Sequence, residues 1–176
     1  MREEITETKQ IFDGRIVDLA VHQVRLPNGK QAERELITHP GAAAIVALDD
    51  AQNVLLIRQF RLGADQVLVE LPAGTLELGE DPAVCAAREL QEETGYRPGQ
   101  LERLGGWFVA PGYTTEYIHL FVATDLTHDP IEGDEDEFIE VFRLPLTEAV
   151  AMAARGEIGN STGVAGLLWA ARHLGV

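Results

Sequence analysis

Three glutamates, Glu89, Glu92 and Glu93, stand at i, i+3 and i+4 in a segment that reads as a helix. Side chains at those offsets share one helix face, with Cβ atoms about 5–6 Å apart. Like charges at i, i+4 cost an isolated helix about 0.2–0.5 kcal/mol per pair, so such a face is either solvated or compensated by a cation. Hard carboxylate oxygens in this number suit Mg²⁺ or Mn²⁺, which bind through one or two carboxylates together with phosphate oxygens. A bare Glu-x-x-Glu-Glu is more often a plain surface helix, but its surroundings change the reading. Five residues separate Gly74 from Glu80, and seven more precede Arg88-Glu89-Leu90-Gln91-Glu92-Glu93-Thr94-Gly95-Tyr96. Nine fixed or restricted positions over 23 residues form a pattern that chance rarely assembles. A second acidic cluster, Asp134-Glu135-Asp136-Glu137, precedes the run Phe138-Ile139-Glu140-Val141. Alone it is a solvated turn or a loose Ca²⁺ site, without the ligand spacing of an EF-hand loop.

These groups need elements to hold them. Asp81-Pro82 opens the glutamate helix with an N-cap aspartate and a proline at the first helical position. The residues from Ala83 to Glu93 are mostly good helix formers, and Gly95 supplies the stop. Val84, Ala87 and Leu90 recur every three residues and are expected to anchor the helix to a sheet, leaving the glutamates on the opposite face. Residues 5–25 and 32–39 mix β-branched and polar residues around the turn Pro27-Asn28-Gly29, which predicts an N-terminal antiparallel hairpin or small sheet. The apolar runs 42–48 and 54–60, separated by residues 49–53, predict a second hairpin. Further strands are expected over 67–71, 101–109, 117–124 and 138–144. Helices are expected over 146–155 and 161–173, the last capped by Asn160 or Ser161. Strands and helices do not alternate regularly, so a mixed α/β sheet with flanking helices fits better than a doubly wound one.

Composition bounds the function. The 176 residues, 45% hydrophobic and 24% charged, suit one ordinary globular domain. A net charge of −15 disfavours nucleic acid and anionic membranes, which reward basic surfaces. The same charge should reject an anionic substrate unless a divalent metal held by clustered carboxylates reverses the local sign, although acidity also serves solubility alone. Cys85 is the single cysteine, so no internal disulfide can form and a reducing cytoplasm is the expected compartment. The charged first residues lack the apolar run of a signal peptide, and no apolar stretch approaches the roughly 20 residues of a membrane span.

The pattern over residues 74–96 resembles the Nudix box, with Gly74, Glu80, Arg88, Glu89, Leu90, Glu92, Glu93, Gly95 and Tyr96 at its defined positions. The resemblance implies a hydrolase of nucleoside diphosphates linked to another moiety, and an α/β fold in the form of an α/β/α sandwich with a mixed sheet. It implies Glu89 and Glu93 as metal ligands, the Ala73 carbonyl as a further ligand, and Glu92 near the metals and part of the catalytic set. Arg88 and Glu80 are then polar partners that shape the loop. Cys85, four residues before Glu89, is expected as a small buried or half-buried residue, since Mg²⁺ avoids thiolates.

Outside the box the chain is similar to the ADP-ribose pyrophosphatases within that family. The resemblance rests on Gly14-Arg15-Ile16, Leu26-Pro27-Asn28-Gly29-Lys30, Arg34-Glu35-Leu36, His39-Pro40-Gly41, Arg58-Gln59-Phe60-Arg61, Ala110-Pro111-Gly112-Tyr113-Thr114-Thr115-Glu116 and the acidic run at 134–137. It implies Arg61 as a phosphate-contacting residue, with Arg15 and Ile16 bordering the adenine from the partner of a swapped homodimer. Glu35, Glu77 and Glu116 are implied as substrate contacts. Each of these has a plain alternative in a surface salt bridge or core packing. Some relatives have an aromatic at the place of Arg15, and others a serine at the place of Ala110.

The acidic run is implied to supply a base, Glu135, and another metal ligand, Glu137. Metals held by Glu89, Glu93 and Glu137 would neutralise the pyrophosphate and acidify a water whose proton Glu135 takes. A carboxylate among so many others is expected to have a raised pKa, which makes it a better base. Residues 1–40 are then expected to form a small antiparallel β unit for dimerisation and substrate contacts, and residues 41–176 the hydrolase domain. The reading is a homodimeric cytoplasmic ADP-ribose pyrophosphatase using Mg²⁺, with Mn²⁺ as a substitute. Its rivals are a hydrolase of another nucleotide sugar such as GDP-mannose, and a sensor that kept the fold without turnover.

Overall fold

Strands β1 (Glu4–Asp13), β2 (Asp18–Arg25) and β3 (Gln31–Thr38) form an antiparallel sheet in that order, in a computed structural model that describes residues 1–133 and 138–176. The β2–β3 turn is built as its residues require. Gly29 takes φ +82°, its N–H donates to the Leu26 carbonyl at 2.9 Å, and Asn28 Oδ1 accepts from Lys30 N–H at 3.0 Å. Residues Met1–Gly41 and Trp107–Tyr117 make one compact unit. The later segment is tied in through Ile37, whose N–H donates to the Tyr113 carbonyl at 2.8 Å and whose carbonyl accepts from Thr115 N–H at 2.9 Å.

The second unit, Ala42–Gly106 with Ile118–Val176, opens with β4 (Ala42–Ala47), every residue of which is buried. There follow β5 (Asn53–Arg61), β6 (Gln66–Glu70), β7 (Ala73–Thr75), α1 (Pro82–Thr94), β8 (Tyr96–Arg97) and β9 (Gln100–Phe108). The chain ends with β10 (Tyr117–Thr124), β11 (Thr127–His128), β12 (Ile139–Pro145), α2 (Leu146–Ala154) and α3 (Ser161–Leu174). A mixed sheet runs β7-β4-β10-β9, with β4 parallel to β10 and antiparallel to β7. A second, antiparallel sheet runs β12-β5-β6.

The hairpin expected from 42–60 therefore forms only at its turn. Asp49 Oδ1 accepts from Ala51 and Asn53 N–H groups, and Leu48 bridges Val54, but β4 and β5 then part into different sheets. Both edges of β4 are already taken by β10 and β7, so β5 finds its ladder with β6 and β12. An all-apolar strand such as β4 belongs between two covered faces. One face, through Ala43, Ile45 and Ala47 with Phe121 and Ala123, packs on Cys85, Ala86 and Leu90 of α1. On the other, α3 brings Gly166 so close that a Cβ there would stand 2.5 Å from Leu71 Cδ1 and 3.2 Å from Leu120 Cδ1. The result is the expected α/β/α sandwich.

Helix α1 begins and ends where its caps dictate. Asp81 accepts from Ala83 N–H at 2.8 Å, and Gly95, at φ +74°, closes the C-terminus with its N–H on the Gln91 carbonyl at 2.9 Å. Its inward stripe differs from expectation. Val84 is 59% exposed, and the buried residues are Cys85, Ala86, Leu90, Glu93 and Thr94. The stripe is rotated by about one residue, which takes Glu93 to the sheet side: packing and chemistry share that face instead of dividing the helix between them. For α3, Asn160 and not Ser161 is the cap, accepting from Gly163 N–H.

Candidate active site

Two glutamates of α1 converge on one short strand. Glu93 is buried, and its Oε2 accepts the Ala73 N–H at 2.9 Å. Glu89 lies over Gly74: a Cβ on that residue would fall 1.8 Å from the Glu89 carboxyl carbon and 2.0 and 2.2 Å from its oxygens. Only glycine leaves room for this carboxylate, which explains physically why the pattern opens with one. Both acidic groups thus meet β7 at consecutive residues, where the Ala73 carbonyl is also carried.

Arg88 organises the loop in front of them. Its Nε and Nη2 form a forked pair with Glu80, both at 3.0 Å, while Nη1 reaches Glu89 Oε1 at 2.8 Å and Glu92 Oε2 at 2.9 Å. Glu80 in turn accepts the Glu77 N–H at 2.9 Å. The Arg88 guanidinium holds the Glu80 carboxyl below the usual carboxylate range, and Glu80 raises Arg88 further above its own. Cys85 is fully buried, with Sγ 3.7 Å from the Gly74 carbonyl. Burial, followed by the Glu80 and Glu89 carboxylates, pushes its thiol up to about 12, so the sulfur stays protonated and is a poor ligand.

The donor set therefore fits a hard divalent ion. The Glu89 and Glu93 carboxylates meet consecutive residues of one short strand, and the one thiol nearby is neutral. Among the described residues no three acidic, histidine or cysteine side chains form a ready cage.

The other expected residues are distributed as follows. Arg61 is bound to Glu70, Nη2 and Nε standing 2.6 and 3.0 Å from Oε2. Glu70 is 7% exposed and needs that cation. Its pairing with Arg61 was missed in the sequence, although a charge at the end of the apolar run 67–69 was a usable signal. Glu77 is exposed on the loop before α1. Arg15, Ile16 and Glu35 are exposed in the first unit, and Glu116 is half-buried there, with its N–H on Thr114 Oγ1 at 3.1 Å. Glu135 and Glu137 lie outside the described residues.

The NUDIX domain family matches residues 38–164, and the nucleoside diphosphate sugar hydrolase N-terminal domain matches residues 3–37. The chain belongs to the Nudix family. It is a Nudix hydrolase, 40% identical over 160 residues to an ADP-ribose pyrophosphatase of Bacillus subtilis, covering 90% of this chain and 86% of that one. It is 43% identical over 161 residues to a methanol dehydrogenase activator of Bacillus methanolicus, covering 90% and 87%. A GDP-mannose pyrophosphatase of Klebsiella pneumoniae shares 37% identity over 70% of this Nudix chain and 67% of its own. Among solved structures, an ADP compounds hydrolase superposes with a TM-score of 0.89 at 25% identity, covering 99% of this chain and 95% of that one.

Proposed function

We propose that this Nudix hydrolase cleaves ADP-ribose with water to AMP and ribose 5-phosphate, with Mg²⁺ as its natural ion and Mn²⁺ as a substitute. The observation that carries the reading is the convergence of Glu89 and Glu93 on Ala73–Gly74. It brings two carboxylates to one short strand, which supports reading them as hard-oxygen ligands for a divalent cation. A divalent ion held there would supply positive charge to the pyrophosphate and acidify a bound water. Glu89, Glu93 and the Ala73 carbonyl are its assigned ligands, with Glu137 as a further one. Glu92 lies beside them as part of the catalytic set, and Glu135 takes the proton of the water. Arg61 meets a substrate phosphate with the guanidinium edge that Glu70 orients. Arg15, Ile16, Glu35, Glu77 and Glu116 line the nucleotide and the second sugar, with Arg15 and Ile16 supplied by the partner of a homodimer.

The relatives named ADP-ribose pyrophosphatase support this choice of substrate, at 40% and 38% identity over 90% or more of this chain. The lone buried Cys85 is consistent with a cytoplasmic enzyme. GDP-mannose is the second reading, supported by the pyrophosphatase relatives of that name. A panel of ADP-ribose, GDP-mannose, NADH and a diadenosine polyphosphate, incubated with Mg²⁺ and resolved by chromatography, decides between them. The highest kcat/KM is expected for ADP-ribose; preference for any other member overturns the substrate assignment while leaving the reaction class.

A further inference from the structure

Asp129 is gripped at three of its atoms by three residues around the C-terminal end of α1. Its N–H donates to the Gly95 carbonyl at 2.9 Å, its carbonyl accepts from Gln91 Nε2 at 2.6 Å, and its Oδ2 meets Arg97 Nε at 3.1 Å. The grip continues on either side. The strands β8 and β11 pair Thr127 with Arg97 and His128 with Tyr96, and the Tyr96 and His128 rings meet edge to face at 5.3 Å. Farther along, Gly133 lies against the backbone of Glu92, where a Cβ on it would stand 3.4 Å from the Glu92 carbonyl oxygen.

The site as described gives no task to Gln91, Arg97 or Asp129, yet they bracket its two C-terminal carboxylates. Glu92 and Glu93 stand in the last turn of α1, where a helix has unpaired carbonyls and frays most readily. Fraying there would displace Glu93 from the Ala73 N–H. We propose that Asp129, with Gln91 and Arg97, is a positioning clip that holds the last turn of α1 closed, so that Glu93 is already aimed at the metal position before the ion arrives. The clip rests on the reading of Glu93 as a metal ligand, and it acts through the backbone without touching substrate. Both side chains of the Arg97–Asp129 pair are about half exposed, and an exposed ion pair contributes about 0–1 kcal/mol to stability. Its effect is therefore to fall on local opening of the last turn and not on the fold as a whole.

Three variants of the full-length chain test this: Gln91→Ala, Asp129→Ala and the conservative Arg97→Lys. Amide hydrogen exchange without metal is expected to show faster exchange at residues 92–96 in the first two and protection elsewhere unchanged, with Arg97→Lys close to wild type. Calorimetric titration with Mn²⁺ is expected to show binding weakened by about two- to five-fold in the first two, the range an exposed contact worth up to about 1 kcal/mol allows. KM for ADP-ribose at saturating metal should stay within about two-fold. Wild-type exchange and wild-type Mn²⁺ affinity in Gln91→Ala and Asp129→Ala would overturn the clip, as would faster exchange with unchanged affinity. Absence of Mn²⁺ binding by the wild type would instead overturn the ligand reading on which the clip rests.

Discussion

The carboxylate of Glu89 fills the space that a side chain on Gly74 would need. This contact is the most informative one at the scale of single residues. The backbone at Gly74 does not take a positive φ, and the three atoms nearest an added Cβ all belong to the Glu89 carboxylate. Gly74→Ala is therefore expected to leave the circular dichroism spectrum unchanged while kcat falls by about 100-fold, the loss that a misplacement of about 1 Å can cause. Gly63→Ala, at a glycine with open space around it, is the control and should keep full activity. An active Gly74→Ala enzyme would show that Glu89 has no fixed task. At this scale the sequence made the glutamates and the glycine legible as a pattern, but not the contact between them. Spacing along a helix says which side chains share a face, and not how closely a strand elsewhere approaches it. The Arg61–Glu70 pair stayed hidden for the same reason, since the two residues meet across the β5–β6 ladder.

Element α1 was the most legible piece of the fold, because its start and stop are chemical. An aspartate that accepts a backbone N–H and a glycine free to adopt φ +74° are written directly in residue type. Its inward face was misjudged, because Val84 and Ala87 fit a three-residue repeat as well as Cys85 and Ala86 fit the true stripe. The division of β4 from β5 was illegible too: two short apolar runs around a turn make a hairpin unless other strands claim both edges. The loop–helix pairing of Glu80 with Arg88 has a consequence for acid stability. Glu80 has a folded-state pKa below its ordinary value of 4.5, with Arg88 as the main cause of the lowering. Such a group adds stability that is fully present above pH 4.5 and is lost as the pH falls through the depressed folded value. Urea denaturation of Glu80→Gln should accordingly show a smaller decline than wild type as the medium is taken from pH 5 to pH 3. Parallel curves would mean that the pair contributes nothing to pH-dependent stability.

At the scale of the whole molecule, the sequence predicted an α/β/α sandwich with a mixed sheet and the structure has one, with α1 and α3 on opposite faces of β4 and β10. The expected substrate-contacting residues divide between the two compact units. Arg61 and Glu77 belong to one, and Arg15, Ile16, Glu35 and Glu116 to the other. Their roles were legible only through resemblance, because an exposed arginine or glutamate has the same signature in sequence whether it meets a ligand or water. The acidic charge of −15 works against binding an anionic substrate, and a cation in the working site would reverse the local sign. Glu93 is the residue on which that dependence turns most sharply. The direct measurement is the hydrolysis of ADP-ribose, followed by ³¹P NMR with and without Mg²⁺, in wild type and Glu93→Gln. AMP and ribose 5-phosphate are expected from the wild type only when Mg²⁺ is present. In Glu93→Gln the rate is expected to be lower by about 100-fold or more, the scale of loss expected when a metal site is disrupted. Turnover by wild type after metal is stripped, or undiminished turnover by Glu93→Gln, would contradict that dependence.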